Sequence, residues 1–307
     1  MAITTPISTT DTRRDLIGIV WMLVTGFNFV AVNALVRSLE GALPASQSAF
    51  LRFAFGLVLT LPLLVPALRG GFSMPVWRLL GLRGLLHVLA VIAWFYAMGR
   101  ITVAEVTAIG FLNPIVVIVA SALFLGETLH KRRIAAIVVA LIGAMLVLRP
   151  GLRPLDPGHL SQVFAALCFG ASYLLAKRLA EQVPATVVVA MLTLTVSVAL
   201  APLAISVWVP PTLAQLGVLA LVAVFATAGH YTMTRAFAAA PMTVTQPVTF
   251  LQLVWAALVG ALIFHEPLDG WVMLGGALMI GAISYITWRE ARLRRQGVTP
   301  PVNATKG

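Results

Sequence analysis

The sequence predicts an all-α integral membrane bundle of ten transmembrane helices, arranged as two inverted five-helix repeats. Composition, hydropathy and an internal repeat lead to this prediction. Of the 307 residues, 60% are apolar and only 10% are charged, whereas soluble domains carry about 25% charged residues. The apolar residues fall in runs of about 20, which is the length of a helix that crosses a bilayer.

The ten predicted helices are separated by turn and breaker residues such as Pro44, Pro184 and Pro241. They cover residues 16–37, 46–68, 76–98, 102–125, 132–149, 159–180, 184–207, 212–237, 240–264 and 268–288. The predicted organisation is a cytoplasmic N-terminal segment (1–15), a first repeat (16–149), a linker (150–158), a second repeat (159–288) and a basic cytoplasmic tail (289–307).

Basic residues indicate how these helices are oriented. If the N-terminus lies on side one and the helices alternate, 16 of the 21 Lys and Arg fall on side one and 4 on side two. The remaining one, Arg52, lies within a helix. Because Lys and Arg in short loops stay cytoplasmic, side one is predicted to be the cytoplasm and to hold both termini. A miscount by one helix would remove this segregation.

The internal repeat is clearest in two segments. The stretch FLNPIVVIVASALFLGE ends at Glu127, and FLQLVWAALVGALIFHE ends at Glu266. The offset spans five predicted helices, and five is odd, so the second copy enters the membrane upside down. This explains why Glu127 is followed by Lys131 and other basic residues, while Glu266 is followed by Asp269. Inverted repeats are a mark of secondary transporters, which alternate access to a central site.

Other classes of protein fit less well. The net charge of +11 reflects topology rather than nucleic-acid binding, because the basic residues lie between membrane spans. The five His show no H-x-x-x-H or HExxH spacing, and no Ser nucleophile motif occurs, so we expect neither an enzyme nor a metal site or cofactor. A membrane channel or scaffold stays open as an alternative, although no charged ring or filter sequence is present.

Polar and aromatic residues within the spans are the candidate substrate-binding residues, because a polar side chain at bilayer depth tends to face a cavity or a partner helix. They are Asn28, His87, Trp94, Asn113, Tyr173, His230, Gln252 and Trp255. Asn113 and Gln252 occupy equivalent positions of the two repeats. Pro114 and Pro247 each remove one helical hydrogen bond in equivalent helices, and we interpret them as candidate hinges or static kinks.

The charge of the interior predicts the substrate. No Asp or Glu occupies a deep position, which argues against a lipophilic-cation antiporter. No set of Lys or Arg is expected to converge centrally, which argues against a phosphate-ester exchanger. The predicted pocket is neutral, rich in amides and aromatic. It suits a large neutral or aromatic amino acid, held by stacking and by amide hydrogen bonds. Without a deep acid, gradient-driven uniport is the simpler scheme.

The pieces GFNFV, FLRFAFG and the two segments that end in Glu127 and Glu266 resemble the drug/metabolite transporter superfamily, in its ten-helix EamA-type members. Within it the chain is similar to bacterial aromatic amino-acid exporters. This resemblance implies a transporter of the bacterial inner membrane that exports amino acids and related small metabolites. Its expected partners are a small-molecule substrate and the lipid bilayer, and it is interpreted as a monomer. A proton-coupled exporter of drugs or nucleoside-like metabolites is the alternative.

Overall fold

The computed structural model describes most of the chain. The described residues are 9–39, 41–113, 115–116, 119, 131–152, 154–180, 182–240, 245, 248–249 and 251–295. They form ten α-helices, one overlapping each predicted span, so the predicted all-α bundle is confirmed. The helices are α1 (Thr9–Arg37), α2 (Ala45–Gly70), α3 (Met74–Met98), α4 (Val103–Gly110), α5 (Lys131–Leu148), α6 (Pro157–Ala180), α7 (Ala185–Ser206), α8 (Leu213–Ala239), α9 (Leu251–Ile263) and α10 (Gly270–Arg295).

Six of these helices are long and apolar enough to cross a bilayer. The spans lie in α1–α3 and α6–α8, at Leu16–Arg37, Ala45–Val65, Met74–Met98, Pro157–Ala176, Thr186–Ser206 and Leu213–Met233. Shorter apolar stretches occur in α5, α9 and α10. Many large apolar side chains on these helices point outward, among them Val58, Leu160 and Leu262, which are 60–75% exposed. Such a surface is suited to lipid rather than water.

The helix starts follow local sequence signals. Thr102 accepts a hydrogen bond from the backbone N–H of Glu105, and the Glu105 carboxylate accepts one from the backbone of Thr102. Thr212 and Gln215 form the same capping box at α8. Each box satisfies two N–H groups that have no partner inside the helix. Pro44 and Pro184 precede α2 and α7, where a residue without an N–H removes one unpaired donor.

The most extensive helix contacts map onto one another when each helix is exchanged for the one five places away, although the contact of α2 with α3 has no comparable counterpart between α7 and α8 among the described residues. Helix α1 packs on α8, and α6 packs on α3. The contact of α2 with α8 corresponds to that of α7 with α3, and α1–α9 corresponds to α6–α4. The pairs α2–α7, α4–α9 and α5–α10 each map onto themselves.

Helices α5 and α10 approach each other through glycines. A Cβ added to Gly143 would lie 2.6 Å from the carbonyl oxygen of Gly275 and 2.7 Å from Cγ of Met279. The relation is reciprocal, because a Cβ added to Gly275 would collide with the carbonyl oxygen of Gly143 and would lie 2.7 Å from a methyl group of Val147. The two backbones are therefore in direct contact, as small residues permit between membrane helices.

Candidate functional site

A small cavity lies at the centre of the bundle. It is lined by Arg52, Phe53 and Gly56 of α2, Arg83 of α3, Val189, Leu192 and Thr193 of α7, and Thr227 and His230 of α8. These four helices are two pairs that the five-place exchange interconverts. The centre of a water molecule can move through only about 20 Å³, which is room for little more than one water. A metabolite can enter only if the helices move apart.

Two arginines lie deep in this site. Arg52 is seven residues from the start of α2, which is about 10 Å along the axis, and Arg83 is nine residues, about 14 Å, from the start of α3. Because α2 and α3 run in opposite directions, these depths are measured from opposite ends of the bundle. In a hydrocarbon layer about 30 Å thick, the two guanidinium groups therefore come close to the same level.

The arginines have few partners. Arg83 is 6% exposed, and its Nη1 donates to the carbonyl oxygen of Val188 at 2.9 Å. Its Nε is buried without a hydrogen-bond partner. The Arg52 guanidinium lies 3.9 Å from the centre of the Phe53 ring. The ion pairs among the described residues lie elsewhere, at Glu105, Glu266 and Asp269.

This arrangement overturns one expectation from the sequence. We expected no Lys or Arg to converge in the interior, and we counted Arg83 with the basic residues of side one. That expectation is wrong, because Arg83 and Arg52 line one cavity. The interior is polar and positively charged there, rather than neutral throughout.

Two histidines make similar ring contacts: His230 lines the cavity, and His87 packs against the cavity residue Phe53. In α3, the ring of His87 packs edge-on against Phe169 of α6, with centroids 5.1 Å apart. In α8, the ring of His230 packs edge-on against Phe29 of α1, with centroids 5.4 Å apart. Each contact joins the third helix of one half of the chain to the first helix of the other half.

The surroundings of His87 are aromatic and include another predicted residue. Tyr173 stacks on Phe169 with an interplanar angle of 14° and a centroid distance of 6.0 Å. Phe53, which lines the cavity, meets the His87 ring edge-on at 5.9 Å. His87 Nδ1 lies 3.3 Å from the hydroxyl oxygen of Ser172. Phe53 therefore lines the cavity, and His87, Phe169 and Tyr173 form a series of ring contacts behind it.

Asn113 and Gln252 lie at equivalent helix contacts. A Cβ added to Gly26 of α1 would lie 3.4 Å from Cγ of Gln252, so Gln252 packs over this glycine. A Cβ added to Gly170 of α6 would lie 2.9 Å from the backbone oxygen of Asn113. The side-chain oxygen of Asn113 is buried without a hydrogen-bond partner. Neither residue lines the small cavity, so their binding role stays a prediction.

The structure locates the other predicted residues as follows. Asn28 is buried in α1, where its Nδ2 donates to the carbonyl oxygen of Val24 at 2.7 Å. Trp94 is half-buried and packs edge-on against Phe95. Trp255 is 50% exposed and does not line the small cavity. The candidate hinges Pro114 and Pro247 lie outside the described residues.

Polar contacts close the bundle on side two, the end at which α1 finishes. Glu266, in the α9–α10 connection, pairs through Oε1 with Nε of Arg37 at 2.9 Å. Its Oε2 accepts from the backbone N–H of Val103 at 3.0 Å, at the start of α4, where the helix dipole favours a negative charge. Arg37 also donates from Nη1 to the carbonyl oxygen of Met98, at the end of α3.

Two further polar pairs lie at the same end of the helices. Arg149, after α5, pairs with Asp269, just before α10. His159 of α6 lies 3.2 Å through Nε2 from Oε1 of Glu105 in α4. These pairs join elements from both halves of the chain.

The side-one end of the same bundle is closed by apolar packing. A separate cluster of buried residues joins the end of α2, the start of α3, the end of α6 and the start of α7. Its members are Leu64, Val76, Leu80, Leu179, Val188, Ala190 and Met191. The cavity thus lies between a polar closure on side two and an apolar closure on side one.

Among the lining side chains, the sequence predicted His230 and missed seven: Arg52, Phe53, Arg83, Val189, Leu192, Thr193 and Thr227. For the arginines a signal existed. Each is a permanently charged residue within an apolar span, and such a residue usually marks a functional site. The threonines had no comparable signal, because a Thr in a membrane helix commonly bonds to its own backbone. Thr193 does so here, donating to the carbonyl oxygen of Val189.

A multi-pass helical bundle closed around a buried polar cavity is the architecture of a membrane transporter. The chain belongs to the EamA-like transporter family, whose model matches residues 16–149 and again residues 156–288. This confirms the resemblance to the drug/metabolite transporter superfamily.

The chain is similar to several characterised transporters over nearly its whole length. A riboflavin transporter of Rhizobium johnstonii is 30% identical, with 93% of this chain and 96% of the relative covered. The pseudopaline exporter CntI of Pseudomonas aeruginosa is 29% identical (86% and 94% covered). An S-adenosylmethionine uptake transporter of Rickettsia bellii is 26% identical (90% and 95% covered). These relatives move different small molecules, so the family defines a transporter without defining its substrate.

A solved crystal structure of a protein shares the fold. It aligns with a TM-score of 0.61 at 21% identity and covers 92% of this chain and 99% of the other. Similarity at this level supports the helical architecture alone.

Proposed function

We propose that this protein carries small ring-bearing metabolites, with large neutral and aromatic amino acids as its substrates, by alternating access across the bacterial inner membrane. The observation that supports this proposal most directly is the position of the cavity. It lies among α2, α3, α7 and α8, two pairs of equivalent helices, with the apolar cluster toward side one and the polar contacts of Glu266 toward side two.

Alternating access follows from this symmetry. In our proposal residues 16–149 and 159–288 are inverted repeats that rock against each other around the cavity. Rocking in one direction would separate the apolar cluster around Leu80 and Met191 and open side one. Rocking in the other direction would separate Glu266 from Arg37 and open side two. The similar packing of His87 and His230, each of which joins a third helix to the first helix of the other half, supports two related half-bundles.

The wall of rings supports a substrate with a planar group. Phe53 lines the cavity, and His87, Phe169 and Tyr173 extend from it as a series of ring contacts that helix movement would expose. The indole or phenyl ring of an aromatic amino acid would pack there, with its polar head toward the hydroxyl groups of Thr193 and Thr227. Such ring contacts contribute about 0.5–1.5 kcal/mol each beyond the area they bury.

Riboflavin is a second candidate substrate. The relative from Rhizobium johnstonii transports it and is 30% identical, and the flavin ring system is planar and aromatic. A flavin would need a larger opening than an amino acid, since the closed cavity holds little more than one water.

Direction and energy coupling are part of the proposal. Segregation of basic residues supports cytoplasmic termini. None of the ten Asp and Glu lies in the long apolar spans. This favours uniport down the substrate gradient over proton coupling, and the flux would be outward when the cell has an excess of substrate.

Flux into proteoliposomes tests the proposal. With purified full-length protein, a tryptophan gradient alone should drive uptake, phenylalanine on the same side should compete, and liposomes without protein give the background. Uptake that requires an imposed proton gradient would exclude uniport. Transport of riboflavin without transport of tryptophan or phenylalanine would replace the amino acid with the second candidate.

A further inference from the structure

The central cavity carries an excess of positive charge. Arg52 and Arg83 line it, and neither belongs to an ion pair among the described residues. No Asp or Glu lies in any of the six long apolar spans or the three shorter ones. The neighbouring side chains can therefore supply hydroxyl groups and rings, but no compensating negative charge.

Within the protein, Arg52 and Arg83 use only a small part of their hydrogen-bonding capacity. A guanidinium has five N–H donors in a rigid fork. One Arg83 donor bonds to the carbonyl oxygen of Val188, while its Nε is buried without a partner. Arg52 rests over the Phe53 ring. Burying a cation without an anion is costly, and two such residues at one point in a membrane bundle therefore indicate a ligand that supplies the missing charge.

We propose that Arg52 and Arg83 form an anion subsite, which binds a carboxylate or phosphate group of the transported molecule. This inference rests on the proposed function, since it assigns a chemical group to the same site. The planar fork of arginine matches the two oxygens of a carboxylate or phosphate and forms short, charge-assisted hydrogen bonds. Two arginines from antiparallel helices present such forks at nearly the same depth.

The subsite explains how the site would recognise the ring and the charged group of one substrate together. The anionic group would lie between Arg52 and Arg83, and Phe53, whose ring contacts both Arg52 and His87, would connect this group to the aromatic wall. A ring compound with an amine alone would bring a third positive charge to two existing ones. Such cationic amines are therefore excluded, while acids and zwitterions are accepted.

Thermal unfolding of the purified full-length protein tests the subsite without any transport step, because a ligand that binds the folded state raises the unfolding midpoint. The probes are indole-3-acetate and indole-3-acetamide, which share a ring and differ in charge. We expect indole-3-acetate to reach half-maximal stabilisation at a concentration about 10- to 100-fold lower, the range expected for hydrogen bonds to a charged group. A third probe, indoxyl phosphate, distinguishes a carboxylate subsite from a phosphate subsite. If indoxyl phosphate raises the unfolding midpoint more than indole-3-acetate does, the subsite is assigned to phosphate esters.

Two variants localise the effect. Arg83→Gln should abolish the preference for the acid, whereas Arg100→Gln, which removes an exposed arginine that packs on Tyr96, should retain it. Equal stabilisation by acid and amide, or no stabilisation by either in the unaltered protein, would overturn the proposal even if a variant fails to fold. The proposed function fails separately: if the acid binds and no ring compound crosses proteoliposomes, the subsite stands without it.

Discussion

Replacing Glu266 with glutamine tests the polar closure on side two. The carboxylate of Glu266 joins three elements, because it pairs with Arg37 at the end of α1 and accepts from the N–H of Val103 at the start of α4. Glutamine keeps the shape and one oxygen acceptor but removes the charge. The variant therefore loses the ion pair and weakens the contact with the helix dipole, while packing is preserved.

The burial of the Glu266–Arg37 ion pair determines how much stability the substitution should cost. The side chain of Glu266 is 7% exposed and that of Arg37 is 23% exposed. Exposed ion pairs contribute about 0–1 kcal/mol, whereas breaking a buried pair costs about 3–5 kcal/mol. This pair lies between the two limits, so we expect Glu266→Gln to lower the free energy of unfolding by about 2 kcal/mol.

A double-mutant cycle measures how much of this loss belongs to the pair. Unfolding in detergent would be followed for Glu266→Gln, Arg37→Gln and both together, with an expected coupling of about 1–2 kcal/mol. The matched control is Arg149→Gln, which removes an arginine that pairs with Asp269 instead and should couple to Glu266→Gln by less than about 0.5 kcal/mol. Additive losses at Glu266 and Arg37 would refute the interpretation of this contact as a closure.

Three further predictions concern packing, topology and the site. Gly143→Ala should lower the free energy of unfolding by about 1–3 kcal/mol through overpacking between α5 and α10. The control Gly281→Ala, whose added Cβ would meet nothing within 4 Å, should leave the stability of the protein unchanged. Equal thermal midpoints for the two variants would contradict this packing. Ser73→Cys and Leu152→Cys, both exposed, should react with an impermeant thiol reagent from opposite sides of the membrane in a background without the native cysteine, and labelling from one side would exclude the topology. Gln252→Leu should reduce transport in proteoliposomes and leave the thermal midpoint nearly unchanged, whereas normal flux would restrict Gln252 to helix packing.

The helix boundaries were predictable where charge and breakers bracket an apolar run. Helix α5 was predicted to end at 149 and ends at Leu148, because Pro150 follows it. At α1 and α10 the observed helices are longer, starting at Thr9 and ending at Arg295. Hydropathy marks only the part of a helix that lies in hydrocarbon, while backbone hydrogen bonds continue beyond it.

Equivalent positions in the two halves were also accessible from the sequence. Matching Asn113 with Gln252 required only the internal repeat. The structure brings Gln252 onto Gly26, and Asn113 onto Gly170. An internal repeat carries information about contacts as well as about helices, because equivalent residues tend to meet equivalent partners.

The arginine pair could not be predicted in the same way. Arg83 lies in the half of its predicted span (76–98) that is nearer to side one, so a rule based on chain position counts it with the basic residues of side one. Arg52, which lines the same cavity, is 31 positions earlier in the sequence. Only the antiparallel packing of α2 and α3 brings the two to a similar depth, and no local pattern encodes that packing.

The glycine contact between α5 and α10 has a consequence for the history of the chain. Gly143 and Gly275 each occupy the space that a side chain on the other helix would need. A larger residue at either position fits only if the opposite helix moves away. That movement would leave cavities around Val147 and Met279. Variation at these positions is therefore expected to be correlated, so that two segments far apart in the gene share a single evolutionary constraint.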